Sequence, residues 1–589
     1  MQQPSAFYQK NITNYSNQVS KLSKQLFGLS LLRFSIFILT IIGLYSFFGE
    51  WIMFSIISIL GLSLFLLLLS KYTNIKKQLL LYKQLVSINE EEIRILSGDF
   101  FYKDKGEQYQ NVNHNYALDI DLFGRGSFFQ FLDRTATKEG QEKLANALKA
   151  NQITNIKDRQ QAIKELAKKP SWRQEYQATA SLIHVETDVN QVVYFLNNHK
   201  SFLPKWMKHI PLVFGISSLV LLALVIFKIL EPQYFGYWIF VGFFITGKYL
   251  KKISGLASNT DKIRDTFRQY ALLLKLIENE KFNVSLLKDK QQKIKQESKK
   301  ASDILTELSN AMDALDNRNN FISAIFGNGY FLTDIKHSFS IEKWIENYHD
   351  TVEQWFEVVS FFDAYNSFGN YTFNNPDHIF PEILDTKQTT KVEQLGHPLL
   401  KSEKRVDNDF EIKNQQFFII TGANMAGKST FLRTVSLHIV MSNVGLPVCA
   451  KSSQYSPVKL ITSMRTTDSL TDDSSYFFSE LTRLKYIVEA IKTDDYFIIL
   501  DEILKGTNST DKAIGSKKFV EKLVASKATG IIATHDLSLC EIEKELQAVK
   551  NYYFDAQIVN DELFFDYTFK KGICQNMNAS FLLKKMNIV

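Results

Sequence analysis

Four runs of apolar residues interrupt the mixed polar pattern of the chain. Two of them, 26–48 and 51–70, are separated by only two residues, and the second contains 20 residues without a charge. The other two, 210–227 and 233–247, are also joined by a short turn, and Trp238 is expected in an interfacial aromatic belt. About 20 apolar residues suffice to cross a bilayer as a helix. The pattern predicts two transmembrane hairpins with four transmembrane helices.

The alternative for any single run is a helix buried in a soluble core, but two close pairs favour the membrane. Lysines flank both pairs, whereas the turns inside the pairs carry chiefly Glu50, Lys228 and Glu231. Because Lys and Arg accumulate on the cytoplasmic side, both hairpins are expected to enter and leave from there. We predict a multi-pass protein of the cell membrane. No small-residue cleavage site follows the first run, so we interpret it as an anchor and not a signal peptide.

Shorter apolar runs near the C-terminus have a different character. Residues 417–421, 496–500 and 530–533 are each four or five residues long and rich in β-branched or aromatic side chains. Continuous apolar runs of this length are typical of strands buried on both faces of a parallel sheet. The C-terminal part of the chain is therefore predicted to be an α/β domain.

The first of these runs leads into the pattern Gly422-x-x-x-x-Gly427-Lys428-Ser429. Glycine lets the loop adopt positive φ angles, so that backbone N–H groups point inward at one anion. Lys428 would reach the β- and γ-phosphates of a nucleotide, and the Ser429 hydroxyl would ligate Mg²⁺. We predict ATP and Mg²⁺ as cofactors. The predicted ATP-binding residues of the loop are Gly422, Ala423, Asn424, Met425, Ala426, Gly427, Lys428, Ser429 and Thr430.

Polar residues that follow the second and third strand complete the predicted site. Asp501 and Glu502 come directly after 496–500, at the strand end where α/β sheets place their ligands. Asp501 would hold Mg²⁺, and Glu502 would polarise the water that attacks the γ-phosphate. His535 follows the third strand and could sense the γ-phosphate, although a lone His there is more often an ordinary strand-end residue. Lys428, Glu502 and His535 are the predicted catalytic residues of an ATP hydrolase.

With these motifs the C-terminal part of the chain resembles the MutS family of mismatch-repair ATPases, a branch of the ABC-type ATPases. The resemblance is carried by GHPLL, VDNDF, TGANMAGKST, DSLTDDSSYFFSEL, DEILKGTNSTD and ATH, at 396–400, 406–410, 421–430, 468–481, 501–511 and 533–535. An ABC transporter would instead be expected to have an LSGGQ-like signature before the second acidic strand, and the sequence has none.

The resemblance implies a site built by two subunits. In the family, a Ser from one subunit closes over the nucleotide of the other, and Ser475 matches that residue. Asp473 stands where the family usually has Gly. Val406, in the lead-in VDNDF, is a further expected ATP contact. A homodimer is therefore the expected assembly.

Upstream, the chain resembles the family more weakly and departs from it twice. Residues 116–170 resemble the core domain, and 341–372 resemble the helix that leads from the levers into the ATPase domain. About 95 residues precede the core-like region, and much of this segment is apolar, so no mismatch-recognition domain is expected. The second apolar pair stands where the family inserts its DNA clamp.

We predict a multidomain fold, in which α-helical membrane hairpins and an α-helical core and lever region precede a C-terminal α/β P-loop ATPase domain of the ABC type. The predicted divisions are a cytoplasmic N-terminal segment 1–25, transmembrane hairpin 26–70, helical core 71–208, transmembrane hairpin 209–250, helical lever return 251–372 and ATPase domain 373–589.

The predicted function is a membrane-anchored ATPase that transmits closure of its dimer sites through helical levers to the membrane helices. The alternative is a membrane-tethered, DNA-binding ATPase acting on mismatched or branched DNA. A transporter is least favoured, because the apolar runs contain few charged side chains. The net charge of +7 is mild, and the basic segment 288–301 fits a solvated helix face better than a nucleic-acid surface. Three cysteines without a pairing pattern indicate a reducing compartment, and no Cys/His cluster predicts a structural metal.

Overall fold

The computed structural model describes residues 3–183, 185, 187–295, 299–385, 389–465, 476–559 and 562–575. Helices dominate the chain up to Asn374, and the β-strands follow after it. The predicted order of a helical region followed by an α/β region is therefore confirmed, whereas the domain boundaries stay predictions.

The chain begins with a long helical hairpin. Helix α1 (Pro4–Ser46) has 43 residues and α2 (Trp51–Leu96) has 46. With a rise of 1.5 Å per residue they are about 65 and 69 Å long. The predicted apolar runs form the halves beside the connecting turn, where 6% of the most apolar 18-residue window of α1 and none of that of α2 is buried. By length and composition, both helices can cross a membrane.

The remaining helices up to Asn374 form the body of the helical region. They are α3 (Phe128–Leu132), α4 (Lys138–Lys149), α5 (Ile156–Ala167), α6 (Pro170–Ser181), α7 (Val189–Asn198), α8 (Ile210–Ile226), α9 (Pro232–Gly247), α10 (Leu250–Asn279), α11 (Ser285–Gln292), α12 (Ala301–Asp316), α13 (Phe321–Phe331) and α14 (Thr333–Asn374). Helix α14 is buried on every side from Val358 to Tyr371, so it passes through the centre of this region and leads toward the sheets.

The second predicted transmembrane hairpin corresponds to α8 and α9, but the lengths of these helices contradict the prediction that they cross the membrane. These helices have 17 and 16 residues, or about 25 and 24 Å, which is shorter than the roughly 30 Å of bilayer hydrocarbon. Four transmembrane helices are therefore not supported; the described residues contain two helices that meet the length requirement. Trp238 is half-buried and stacks on Phe214 with 4.8 Å between ring centroids, so it is a packing residue of the pair.

The described residues of the C-terminal part form two main sheets and four further helices. In chain order the elements are β1 (Glu382–Ile383), β2 (Thr389–Leu395), β3 (Asn408–Lys413), β4 (Phe417–Gly422), α15 (Lys428–Val444), β5 (Ser452–Tyr455), β6 (Lys459–Ser463), α16 (Tyr476–Ala490), β7 (Tyr496–Asp501), α17 (Ser509–Ala525), β8 (Thr529–Ala533), α18 (Ile542–Glu545), β9 (Val549–Phe554), β10 (Gln557–Val559), β11 (Glu562–Phe564) and β12 (Lys570–Lys571).

The larger sheet positions the candidate site. Its strand order is β12-β9-β4-β8-β7-β6, with β12 antiparallel and the neighbours from β9 to β6 parallel. All six residues of β4 are buried, as its continuous apolar pattern predicts. Ala533 of β8 is in register with both Ile420 and Asp501, so the carboxyl ends of three central strands meet at one edge.

Candidate nucleotide site

A glycine-bounded loop joins β4 to α15 at this edge. Gly422, Met425 and Gly427 have φ angles of +150°, +67° and +103°. A Cβ atom at Gly422 would lie 2.6 Å from the carbonyl oxygen of Phe554 in β9, so only glycine fits beside the neighbouring strand. The loop turns over the sheet and directs the N-terminal end of α15, with its unpaired N–H groups, toward the space above it.

Lys428 lies in the first turn of α15 and is 7% exposed. Its Nζ donates to the carbonyl oxygens of Gly422 at 2.7 Å and Ala423 at 3.0 Å, and lies 3.3 Å from Nε2 of His535. Burial lowers the pKa of Lys428, while the nearby Asp501 and Glu502 raise it. Burial and then the Lys428 charge lower the pKa of His535, so a neutral imidazole faces the ammonium group.

Ser429 and Asp501 form the pair that was predicted to hold Mg²⁺. The Ser429 hydroxyl donates to Oδ2 of Asp501 at 2.7 Å, joining α15 to the end of β7. A hydroxyl and a carboxylate oxygen are hard donors of the kind Mg²⁺ prefers, so the two side chains fit this ion. Elsewhere among the described residues, His, Cys, Asp and Glu form no group of three or more that could hold a metal ion.

Glu502 is the first residue after β7 and has a positive φ of +52°. Its backbone N–H donates to the Ala533 carbonyl oxygen at 2.9 Å, and its carboxylate lies 3.1 Å from Nζ of Lys512 and 3.6 Å from Nζ of Lys505. Burial raises the pKa of Glu502, but Lys512, with a smaller contribution from Lys505, outweighs this, and the net pKa lies below its ordinary value. Glu502 is therefore ionised at neutral pH.

A buried acid on α16 holds the loop that follows Glu502. Glu480 of α16 is 3% exposed and accepts hydrogen bonds from the backbone N–H groups of Leu504 at 2.5 Å and Lys505 at 3.1 Å. These bonds fix the chain directly after Glu502, where Leu504 has a φ of +60°. Glu480 lies in the segment DSLTDDSSYFFSEL, but the sequence assigned it no role, because its partners belong to the distant loop after β7.

A cavity of about 550 Å³ lies in front of the loop and collects most of the predicted residues. The predicted residues that line it are Val406, Ala423, Asn424, Met425, Gly427, Lys428, Ser429, Thr430, Asp501, Glu502 and His535. Gly422 and Ala426 are buried behind the lining, in the strand end and the loop. Ser475 lies outside the described residues, so its position in trans stays a prediction.

Other residues of the cavity wall were not predicted from the sequence. Lys404, Arg405 and Tyr567 line the cavity beside the loop. Asn408 of β3 donates to the Tyr567 carbonyl oxygen at 3.0 Å although the two residues are 159 positions apart. Tyr567 in turn lies against Gly427, where an added Cβ would be 3.0 Å from its ring. This part of the wall is created by tertiary contacts between distant segments.

The C-terminal region is similar to proteins of the MutS family. Residues 418–584 match the family model described as MutS domain V. The human protein named MutS protein homolog 4 is 33% identical over 234 residues, which are 38% of this chain and 24% of the relative. The protein named DNA mismatch repair protein MutS of Staphylococcus haemolyticus is 27% identical over 251 residues, which are 41% of this chain and 28% of the relative. The protein of the same name from Aquifex pyrophilus is 32% identical over 187 residues, which are 31% of this chain and 22% of the relative. This chain thus spans about a quarter of the length of these relatives.

Proposed function

We propose that this protein is an ATP hydrolase with a MutS-like nucleotide site. The observation that carries the proposal is the convergence of Lys428, Ser429, Asp501, Glu502 and His535 on one cavity at the carboxyl edge of a parallel sheet. The similarity of this region to MutS domain V supports the same activity.

ATP would bind with its phosphates over the loop. Lys428 would exchange the carbonyl oxygens of Gly422 and Ala423 for phosphate oxygens, which are stronger acceptors for an ammonium group. Ser429 and Asp501 would hold Mg²⁺, which when bound neutralises part of the phosphate charge. The backbone N–H groups at the start of α15 would donate to the same phosphates.

Glu502 would orient the attacking water. Its carboxylate is ionised and can accept a hydrogen bond from water, while Lys512 and Lys505 hold it on the wall of the cavity. His535 would lie beside the γ-phosphate, because it is already 3.3 Å from Lys428. The neutral imidazole can donate one N–H to a phosphate oxygen without adding a charge of its own.

We further propose that two copies of the chain complete two sites. Met425 at the cavity and Phe478 on α16 are 77% and 62% exposed, and exposed apolar side chains beside a site are typical of an interface. Ser475 of one copy would close over the nucleotide of the other. This part of the proposal rests on the family resemblance.

The protein is proposed to be anchored in the cell membrane by α1 and α2, with the ATPase region in the cytoplasm. Support comes from the apolar, exposed halves of the two helices and from the lysines at their polar ends. The conformational change that closes the ATP sites would be transmitted to the membrane helices through α14, which runs from the sheets along the helical region. The work done there would be mechanical.

DNA binding is the second candidate, because two of the relatives are named DNA mismatch repair proteins. The two candidates are separated by the ATPase rate of the protein in nanodiscs, with and without DNA, at two salt concentrations. Stimulation by DNA that fades with salt would favour the tethered DNA-binding enzyme. A rate that is indifferent to DNA but depends on the lipid would favour the membrane mechanoenzyme, and the absence of any turnover would refute both.

A further inference from the structure

A third apolar helix packs against the second apolar pair. Ser218 of α8 donates to the Tyr330 carbonyl oxygen of α13 at 2.7 Å and accepts a hydrogen bond from Nε1 of Trp238 in α9 at 2.8 Å. A Cβ atom at Gly242 of α9 would overlap the carbonyl oxygen of Gly329 in α13, so the two backbones are in contact. We call 210–247 together with 321–331 the apolar tip.

The helices of the apolar tip have a hydrophobic and uncharged outer surface, and the two charges of the tip, Lys228 and Glu231, lie in the turn between α8 and α9. Helices α8, α9 and α13 contain no Asp, Glu, Lys or Arg. On α13, Phe321, Ile322 and Phe326 are 77%, 66% and 57% exposed, and their neighbours Asn328, Gly329 and Tyr330 are buried against α8 and α9. Large side chains on α8 and α9 are exposed in the same way, among them Leu212, Ile216, Leu219, Phe240 and Phe244. A contiguous apolar surface of this kind requires an apolar partner.

Positive charge surrounds the base of the apolar tip, where the chain enters and leaves it. Five lysines are exposed there: Lys205, Lys208, Lys248, Lys251 and Lys252. Lysines close to an anionic membrane surface are attracted to its headgroups. Uncharged apolar helices bounded by exposed lysines match hydrocarbon bounded by anionic headgroups, so the fitting partner is a lipid bilayer.

The base of the α1–α2 hairpin lies at the C-terminal end of α14. The Tyr8 hydroxyl of α1 donates to Asn374 at 2.6 Å, and the Asn374 amide donates to Glu92 of α2 at 2.8 Å. Helix α6 is joined to the same end of α14, because Arg173 donates to Asn370 at 2.7 Å. Three helices therefore meet α14 at one level.

From that level the hairpin runs toward the apolar tip. Leu85 of α2 packs on Ala178 of α6. Leu85 lies about two helical turns closer to the apolar half of α2 than Glu92 does. Tyr176 of the same helix donates to the Val359 carbonyl oxygen of α14 at 3.0 Å. Helix α2 thus follows α14 toward its N-terminal end at Thr333, where α8 and α13 are in contact with it. Both apolar parts of the chain leave the helical region on the same side.

We infer that the apolar tip inserts into one leaflet of the bilayer that α1 and α2 cross. This inference rests on the proposed membrane anchoring and adds a second contact to it. Helices of about 24 Å and 25 Å are too short to cross about 30 Å of hydrocarbon, but lying within one leaflet they would keep both the lysines of the base and the charged turn with Lys228 and Glu231 at the headgroups. Helix α13 would lie in the same leaflet, with Phe321, Ile322 and Phe326 among the acyl chains.

Site-directed fluorescence in nanodiscs tests the inference in the full-length chain. The three native cysteines, Cys449, Cys540 and Cys574, are buried, so an introduced exposed cysteine can be labelled selectively with an environment-sensitive dye. The probe position is Ile322→Cys on α13. Lys288→Cys on the exposed face of α11 is the aqueous control, and Leu60→Cys, in the apolar half of α2, is the membrane control. Lipids with a nitroxide near the headgroup or at the chain end report the depth of each dye.

The expected result is a dye at Ile322 that is several-fold brighter than at Lys288 and is quenched more by the shallow nitroxide than by the deep one. Equal brightness of the dyes at Ile322 and Lys288 would overturn the inference, because both dyes would then be in water. A bright dye at Ile322 that neither nitroxide lipid quenches would also overturn it, because protein would then cover the dye. Leu60 separates the two failures. Quenching at Leu60 alone would leave the proposed anchoring intact, whereas no quenching at either position would contradict the anchoring itself.

Discussion

Replacement of Glu92 by Gln is predicted to loosen the α1–α2 hairpin from the rest of the protein. Glu92 and Arg134 form a buried ion pair, with 2.5 Å between Oε1 and Nε and side chains 3% and 5% exposed. Asn370 and Asn374 of α14 donate to the same carboxylate at 3.0 Å and 2.8 Å. Glu92→Gln would leave the Arg134 charge without its counter-ion. It would also place the N–H₂ group of Gln opposite N–H groups that now donate to the carboxylate.

The size of the effect follows from this burial. Removing one partner of a buried ion pair costs about 3–5 kcal/mol, because the remaining charge stays unpaired in the interior. At 1.36 kcal/mol per factor of ten, this corresponds to a local opening of the hairpin base that is roughly 10² to 10⁴ times more frequent. Backbone amides of α1 and α2 near Tyr8 and Glu92 should exchange hydrogen faster by that factor.

Hydrogen exchange of the full-length protein in nanodiscs is the assay, with Glu90→Gln as the matched control. Glu90 lies on the same helix and is exposed, so its replacement should change the exchange by less than about threefold. Exchange at the hairpin base that is the same in Glu92→Gln and Glu90→Gln would refute the reasoning.

The same pair predicts a pH dependence. Burial raises the pKa of Glu92, but the charge and hydrogen bond of Arg134, together with the two Asn amides, outweigh it, and the net pKa lies below 4.5. A carboxylate with a depressed folded-state pKa contributes stability above its unfolded pKa and loses it as the pH falls through the folded one. Protection of the hairpin base should therefore decrease below about pH 4.5 in the wild type, and less so in Glu92→Gln.

Two further substitutions test the site and the packing of the helical region. Glu502→Gln should retain ATP binding and reduce hydrolysis by about 10² or more, because the amide cannot act as the base; near-normal phosphate release would exclude this role. Gly140→Ala would force a Cβ onto the Asp363 carboxylate and should destabilise the protein by about 1–3 kcal/mol, measured as a lower midpoint in urea. Gly255→Ala, in α10 with open space around it, should be neutral or stabilising, and equal losses in the two variants would contradict the packing argument.

The sequence was informative wherever short segments determine structure. Lys428 and Ser429 follow β4 after a short loop, Asp501 ends β7, and His535 comes two residues after β8, which lies between β4 and β7. Since parallel strands bring their carboxyl ends to one edge, these four residues could be expected to lie together, and their side chains do contact one another in pairs. The order of a helical region and an α/β region was predicted for the same reason.

Features that depend on distant contacts escaped prediction. Tyr567 reaches the cavity because Asn408, far away in the chain, binds its backbone. The 11 residues of α13 are too few to suggest a membrane helix. The proposed membrane contact of α13 depends on its packing against α9, where Gly242 and Gly329 are in close contact. Trp238 was expected at the membrane interface because its amphipathic ring suits that region, but its N–H has a buried partner in Ser218.

The most direct test of the account is ATP binding and turnover by Lys428→Ala, compared with the wild type and with Lys413→Ala. Lys413 is exposed at the end of β3, and its replacement should leave both quantities unchanged. Lys428→Ala removes a buried ammonium group from the phosphates, at a cost of about 2–5 kcal/mol, so ATP affinity should fall by about 30-fold or more and turnover should be lost. Normal ATP binding and turnover in Lys428→Ala would contradict the central claim that this cavity binds and hydrolyses ATP.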